Sequence, residues 1–190
     1  MSTPETIQIS AEVTPNPNTL KFNVNKTLLE SGSLNFPDRK SAAGAYLPEK
    51  LFEVESVLGV MIGRDFITVT KLPAANWQSI VSTVTEKIKT ILGSGQTLFP
   101  QEFQTTAIAS GSGNDSEIEK KICEILDSEI RPAVAMDGGD ITFYGYRDGV
   151  VTLHLQGSCS SCPSSVMTLK MGVENRLRQA IPEVKEVVQV

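Results

Sequence analysis

The chain has 190 residues, 40% of them hydrophobic, which is enough to build one large or two small globular domains. Its 17 basic and 22 acidic residues give a net charge of −5, and no segment combines clustered Lys or Arg with aromatic residues, so nucleic-acid binding is not expected. No run approaches the roughly 18 consecutive apolar residues of a membrane-spanning helix, so no membrane association is expected.

The first residues, MSTPE, show neither the pattern of a secretory signal nor the Arg-rich bias of a transit peptide. We therefore expect the protein to stay in the compartment where it is made. The cysteine count is three, and an odd number fits a reducing compartment better than a disulfide framework. The sequence thus predicts a cytoplasmic protein, and a bacterial one.

Residues 1–92 are predicted to form a first domain with the element order β-β-α-β-β-α. Alternating apolar residues indicate the strands, and a 3.6-residue apolar spacing indicates the helices. The segment Pro15-Asn16-Pro17-Asn18 is typical of a turn between the first two strands. No catalytic motif is recognisable in this half of the chain. The predicted elements span residues 7–13, 19–24, 45–54, 57–62, 66–71 and 76–92.

Residues 93–114 are predicted to form a linker between two domains. The segment contains Gly93-Ser94-Gly95 and Gly111-Ser112-Gly113-Asn114 and shows no sustained apolar period. It also carries Phe99, Phe103 and Ile108, which are unusual in a fully solvated linker. We therefore expect part of the segment to pack on a domain.

Residues 115–190 are predicted to form a second domain with the element order α-β-β-α-β. Asp115 or Ser116 can cap a helix that Pro132 is expected to end. The remaining predicted elements are strands at 141–146 and 150–155 joined by a hairpin, a helix that starts at Pro163, and a closing strand at 184–190. Both small domains are thus of the α/β (α+β) class.

The most distinctive motif is Cys159-Ser160-Ser161-Cys162, which lies between a predicted strand and a predicted helix. Two intervening residues let both sulfur atoms face one metal ion or cluster, and the start of a helix favours the thiolate form. A tetrahedral zinc ion or an iron-sulfur cluster usually takes four protein ligands. One chain therefore offers half of such a site.

Besides an ordinary structural role for both cysteines in a tight turn, three functional interpretations of this pair follow from the residues alone. In the first, two chains meet across a symmetry axis and complete a four-cysteine site for an iron-sulfur cluster. In the second, Cys159 and Cys162 act as a thioredoxin-like dithiol oxidoreductase centre. In the third, the four thiolates of two chains hold a structural zinc ion.

The other residues that could bind metal favour structural roles. Cys123 lies beside the apolar stripe of its helix and is expected to be a half-buried helix residue. His154 alternates with Leu153 and Leu155 and is expected on the surface of a strand. The run Met136-Asp137-Gly138-Gly139-Asp140 is predicted to be a turn whose Asp side chains hold the backbone.

In these motifs the chain resembles the Nfu-type iron-sulfur cluster proteins. Residues 130–143, IRPAVAMDGGDITF, and 155–165, LQGSCSSCPSS, resemble the C-terminal domain of NifU. Residues 14–22, TPNPNTLKF, and 65–71, DFITVTK, resemble the N-terminal domain of the mitochondrial-type Nfu proteins. Together the matches extend over nearly the whole chain.

The resemblance implies a non-enzymatic scaffold or carrier. It implies that two subunits share one 4Fe-4S cluster, that each contributes the cysteines matching here as Cys159 and Cys162, and that the cluster passes to apo-proteins. The implied partners are a second copy of the chain, recipient apo iron-sulfur proteins and an upstream cluster-assembly scaffold. The first domain is expected to help recognise partners. Mitochondrial members carry a targeting extension that is missing here, which favours a bacterial protein.

Overall fold

A computed structural model describes residues 6–100, 103, 117–160 and 163–190, and only the backbone of residues 163–165. Contacts between Cα atoms divide the chain into two compact units, residues 1–108 and 109–190. Each unit has its own apolar core of helix and strand residues, which confirms the expected α+β class. Within the described ranges, no helix is long and apolar enough to cross a membrane.

The described part of the first unit contains a five-stranded sheet and two helices. The strands are ordered β1-β2-β5-β4-β3, and all neighbouring pairs are antiparallel. Strand β3 is absent from the predicted elements, because three residues are too few to show an alternating pattern. The elements are β1 (Ile9–Val13), β2 (Thr19–Val24), β3 (Leu34–Phe36), α1 (Tyr46–Leu51), β4 (Val57–Ile62), β5 (Phe66–Lys71) and α2 (Trp77–Gly93).

Helix α2 follows the predicted pattern and packs its apolar side chains into the same core as the sheet. The side chain of Asn76 accepts a hydrogen bond of 3.0 Å from the Gln78 N–H and so caps the helix. The helix contributes to that core the residues Val84, Ile88, Ile91 and Leu92, which recur at helical spacing.

The beginning of the predicted linker packs on the core of the first unit. Phe99 is 2% exposed, and the Leu47 N–H donates a hydrogen bond of 3.1 Å to the Leu98 carbonyl oxygen. The ring centroid of Phe103 lies 5.7 Å from that of Phe36. Ile108 lies outside the described residues. The division into domains at 1–92 and 115–190 with a linker at 93–114 stays a prediction.

The described part of the second unit contains two helical segments and a three-stranded sheet, in the predicted order α-β-β-α-β. Strands β6 and β7 are antiparallel, and β7 and β8 are parallel. The elements are α3 (Glu117–Ile125), a π-helical turn (Leu126–Ile130), α4 (Arg131–Met136), β6 (Gly139–Arg147), β7 (Val150–Gly157), α5 (Pro163–Ala180) and β8 (Glu186–Gln189).

The first helical segment does not end at Pro132, and this prediction is wrong. The Arg131 N–H donates its hydrogen bond to the Leu126 carbonyl oxygen, five residues back, in the wide geometry of a π turn. Pro132 therefore occupies the second position of α4, where a missing N–H is tolerated and the wider turn makes room for its ring. The segment continues to Met136.

Helix α5 is fixed to the rest of the second unit by its apolar stripe and by one ion pair. Val173 and Leu177 are buried in the core, and Val166 and Leu169 are partly buried against it, as the spacing predicts. On the exposed side, Arg176 forms a two-pronged contact with Glu129 of the π turn, at 2.5 and 2.6 Å. This contact lowers the pKa of the Glu129 carboxyl.

Candidate cysteine site

The strand pair β6 and β7 brings two glycine-containing segments together at one end of the second sheet. Gly139 at the start of β6 lies opposite Gly157 at the end of β7. Gly157 has a φ of +66°, a left-handed conformation that glycine adopts without strain and that turns the chain out of the strand. We call residues 157–160 the cysteine loop and residues 137–139 the glycine turn.

Cys159 is buried in this loop, only 5% exposed, and belongs to the apolar core of the second unit. Its side chain lies directly over Gly139 of the glycine turn. A Cβ atom placed on Gly139 would be 2.5 Å from Cys159 Sγ and 3.0 Å from the Gln156 carbonyl oxygen. The first distance is shorter than real Cβ contacts allow and the second is tighter than most of them, so this approach of the loop to β6 depends on a glycine at position 139.

Ser158 fastens the cysteine loop to the glycine turn. Its N–H donates a hydrogen bond of 3.2 Å to the Gly138 carbonyl oxygen, and its hydroxyl donates one to the Asp137 carbonyl oxygen. Ser158 is 1% exposed, and its Oγ lies 3.8 Å from Cys159 Sγ. The predicted turn at residues 136–140 is therefore present, and its backbone carbonyl groups hold the loop that carries Cys159.

A buried carboxylate lies beside the glycine turn. Asp140 is 8% exposed, and its Oδ1 lies 3.5 Å from Arg131 Nε. The same Nε donates a hydrogen bond of 3.0 Å to the Ile141 carbonyl oxygen, and Arg131 Nη1 lies 2.9 Å from Asp127 Oδ1. Arg131 thus holds the end of the first helical segment against the start of β6, and the Asp140 carboxylate is part of that contact.

Cys162, the second predicted ligand, lies outside the described residues. Helix α5 begins at Pro163, the next residue, and runs for 18 residues. The N-terminal end of a helix carries a partial positive charge and therefore favours a thiolate over a thiol. The predicted order of strand, cysteine loop and helix is thus observed around the described half of the pair.

The other two residues that could bind metal occupy structural positions. Cys123 is half-buried on α3, and His154 is half-buried on β7 with its Nδ1 2.7 Å from the Val190 carbonyl oxygen. Among the described residues, which exclude Cys162, no group of three or more His, Cys, Asp or Glu side chains could hold a metal ion. The thiol of Cys159 is a soft donor, suited to zinc, to an iron-sulfur cluster or to disulfide exchange.

The sequence alone does not identify Gly139 and Ser158 as parts of the site. Both lie in the motifs given above, but their role depends on which residues of β6 and β7 are opposite each other. The ladder contains a register shift between Phe143 and Gly145, which moves the pairing at the far end by one residue. No signal in the sequence reveals this bulge.

Two family descriptions match this chain, one in each half. Residues 9–95 match the family described as "Scaffold protein Nfu/NifU N terminal". Residues 122–188 match the family described as "NifU-like domain". The second match includes the glycine turn and the cysteine loop.

Curated relatives match both halves together. A human protein named "NFU1 iron-sulfur cluster scaffold homolog, mitochondrial" is 44% identical over 183 residues, which are 96% of this chain and 71% of the human one. The Arabidopsis thaliana "NifU-like protein 4, mitochondrial" is 40% identical over 187 residues, 97% of this chain and 66% of that protein. A solution structure of a NifU-like protein from Saccharomyces cerevisiae is 26% identical, with a TM-score of 0.47, and covers 53% of this chain and 91% of its own.

These relatives correct one prediction. Both the human and the plant protein are named mitochondrial, and relatives with the same designation occur in Drosophila. The predicted location in a bacterial cytoplasm is therefore wrong, and the relatives point to mitochondria. The composition of the first residues did not identify the compartment.

Proposed function

The chain belongs to the Nfu family of iron-sulfur cluster scaffold proteins, and on this basis we propose that it holds a 4Fe-4S cluster between two copies of itself. In this proposal Cys159 and Cys162 of each copy are the four ligands. The cluster is cargo that the protein receives from an upstream assembly scaffold and delivers to apo iron-sulfur proteins. The protein itself is a carrier and not an enzyme.

One observation carries the proposal. The Cys-x-x-Cys pair supplies two thiols, and among the described residues, which leave out Cys162, no two His, Cys, Asp or Glu side chains join Cys159 in a group that could hold a metal ion. A cluster that needs four thiolates is then best completed by a symmetric second copy, since closed two-fold dimers are the commonest oligomers. The start of α5 stabilises the negative charge of such a cluster from both sides.

The exposed side of α5 supports a second copy as the partner. Met167 and Met171, one turn apart and directly after the cysteine loop, are 61% and 59% exposed. Methionine side chains are flexible and apolar, and they are frequent on surfaces that pack against a partner. Two copies that meet at the cysteine loop would bring these side chains into reach of one another.

Cluster reconstitution tests this function directly. The full chain is incubated anaerobically with iron and sulfide, and bound iron, the visible spectrum and the mass by light scattering are then measured. We expect about four irons per two chains, a broad thiolate-to-iron band and the mass of a dimer. Cys159→Ser and Cys162→Ser should each abolish cluster binding, whereas the matched control Cys123→Ser should bind a full cluster.

The alternative functions give different results in the same experiment. A zinc site would bind one zinc ion per two chains and remain colourless after incubation with iron and sulfide. A dithiol oxidoreductase would stay a monomer and cycle between the thiols and a Cys159–Cys162 disulfide. A full cluster in either the Cys159 or the Cys162 variant would contradict the proposed ligands.

A further inference from the structure

We propose that Gly139 and Ser158 are positioning residues that hold the Cys159 thiol in a sheltered position and so determine when its sulfur can bind a cluster. This inference rests on the proposed function, in which Cys159 is a cluster ligand. The inference adds a closed state of the site, in which the Cys159 sulfur is buried in the core of its own chain. The sulfur must leave this core before it can bind a cluster that lies between two chains.

The contact between Cys159 and Gly139 defines the sheltered position. Cys159 is buried with the apolar core residues, and its Sγ lies where a side chain at position 139 would begin. A ligand of a cluster shared by two chains has to be reachable from outside its own chain. With 5% exposure, Cys159 does not meet that condition in this conformation.

Ser158 forms the hydrogen bonds that keep the loop closed. Hydrogen bonds from Ser158 to the carbonyl oxygens of Gly138 and Asp137 join the loop to the glycine turn immediately before Cys159. Opening the loop breaks these bonds and withdraws one side chain, that of Cys159, from the apolar core, while the helix and strand residues of that core keep their contacts. Local openings of this kind need much less free energy than global unfolding.

Opening the loop would expose the Cys159 thiol, and closing it would withdraw one of the two proposed ligands of this chain. A carrier must release its cargo as well as bind it. Withdrawal of the Cys159 sulfur into its position over Gly139 leaves the cluster with fewer ligands from this chain, and the thiols of a recipient can then replace them. Gly139 and Ser158 thereby affect both the binding and the release of the cluster.

Alkylation of the apo-protein measures the sheltered position without iron. In full-length protein carrying Cys123→Ser and Cys162→Ser, iodoacetamide can react only with Cys159, whose thiolate forms a carbon–sulfur bond as iodide leaves. We expect this reaction to be at least about a hundredfold slower in the folded protein than in urea. Rates are measured over a range of pH, so that a change in thiol pKa is not mistaken for a change in access.

Two substitutions in the same background should open the position. Gly139→Ala places a methyl group where Sγ lies, and Ser158→Ala removes the bond to the Asp137 carbonyl oxygen; each should raise the alkylation rate at least about tenfold. The matched controls are Gly145→Ala, on the same strand with nothing within 4 Å of the added Cβ, and Ser128→Ala, whose exposed hydroxyl bonds to the Glu124 carbonyl oxygen outside the site. Both controls should change the rate less than about twofold.

The outcomes separate this inference from the proposed function. A folded-state rate equal to that in urea would overturn the inference, and so would a Ser158→Ala variant that is folded by circular dichroism and reacts like the parent. These results do not depend on whether the protein binds iron. In protein that retains all three cysteines, Ser158→Ala should also load a cluster faster than Ser128→Ala, with an unchanged spectrum. Equal loading rates would contradict the positioning role.

Discussion

Lys71 shows at the scale of one residue why the Pro-Asn-Pro-Asn motif forms a fixed loop. It is 6% exposed, and its Nζ donates hydrogen bonds of 3.1 Å to Asn18 Oδ1 and 3.3 Å to the Leu72 carbonyl oxygen. The ammonium also lies 5.8 Å from the centroid of the Trp77 ring, whose Nε1 donates to the Pro17 carbonyl oxygen at 3.1 Å. The sequence predicts the turn but not its hydrogen bonds with Lys71 and Trp77, because these two residues are more than fifty positions away from Asn18 and Pro17 in the sequence.

Replacing Lys71 by Met keeps most of the length of the side chain but removes its two hydrogen bonds and its cation–π contact with the Trp77 ring. We expect the free energy of unfolding of the first unit to fall by about 1–3 kcal/mol, because buried polar groups that bonded the ammonium lose their partner. Urea unfolding followed by the fluorescence of Trp77, the single tryptophan, measures this change. The exposed Lys40→Met is the matched control, and an equal effect of both variants would contradict the prediction.

At the scale of elements, the pairing of β6 with β7 decides which residue contacts Cys159. Next to the hairpin, Arg147 lies opposite Val150, and an unbroken ladder from there would place Asp140 opposite Gly157. The bulge at residue 144 moves Gly139 into that position instead. Apolar patterns predicted both strands and the hairpin. A bulge leaves no mark in such patterns, and so the contact between Gly139 and Cys159 could not be predicted.

The ion pair between Glu129 and Arg176 predicts a pH dependence for the attachment of α5. The Arg176 guanidinium lowers the pKa of Glu129 from its ordinary value of 4.5, so the pair stabilises the fold above that pH. The contribution is lost as the pH falls through the lowered pKa. Because the pair is exposed, the effect is small and is screened by salt.

Glu129→Gln should therefore lower the urea midpoint of the second unit at neutral pH and in low salt. The difference in urea midpoint between the variant and the parent protein should disappear as the pH falls below 4.5, and it should be smaller in 1 M salt. Far-ultraviolet circular dichroism during urea titration gives the midpoints, with Glu186→Gln on β8 as the control. A difference that is constant with pH would show that the ion pair is not its cause.

The exposed methionines of α5 allow a test of the proposed dimer that leaves the cysteines intact. Met167→Glu puts a charge on the surface expected to face the second copy, and we expect the dimer of cluster-loaded chains to dissociate at least about tenfold more readily. Thr168→Glu, the next exposed position on the same turn, is the control. Light scattering over a dilution series measures the effect, and equal behaviour of the two variants would exclude this face of α5 from the dimer.

At the scale of the whole molecule, the two units have separate cores and, in our proposal, separate roles. The cysteine loop, the glycine turn and α5 all lie in residues 109–190. The motif alone was enough to predict Cys159 and Cys162 as candidate ligands. Two cysteines three positions apart before a helix are typical of metal, cluster and redox sites. The position of Cys159 in the core was not predictable, because it depends on contacts made after folding.

The second unit alone should therefore bind the cluster. A fragment of residues 109–190 is expected to take up the same iron per chain and show the same visible spectrum as the full protein, whereas residues 1–108 should bind none. Anaerobic reconstitution of both fragments measures this, with Cys159→Ser in the shorter fragment as the control. If the fragment is folded by circular dichroism but binds no cluster, the first unit also contributes to the site.

The π turn and the bulge in β6 are each equivalent to a single inserted residue, one on either side of the glycine turn. Deleting one residue at the bulge would restore a regular ladder in which Gly139 still lies opposite Gly157. Deleting one residue from the π turn would restore ordinary α-helical geometry and crowd the Pro132 ring against the carbonyl group four residues back. The second unit should therefore tolerate the loss of a residue at the bulge better than the loss of one in the π turn.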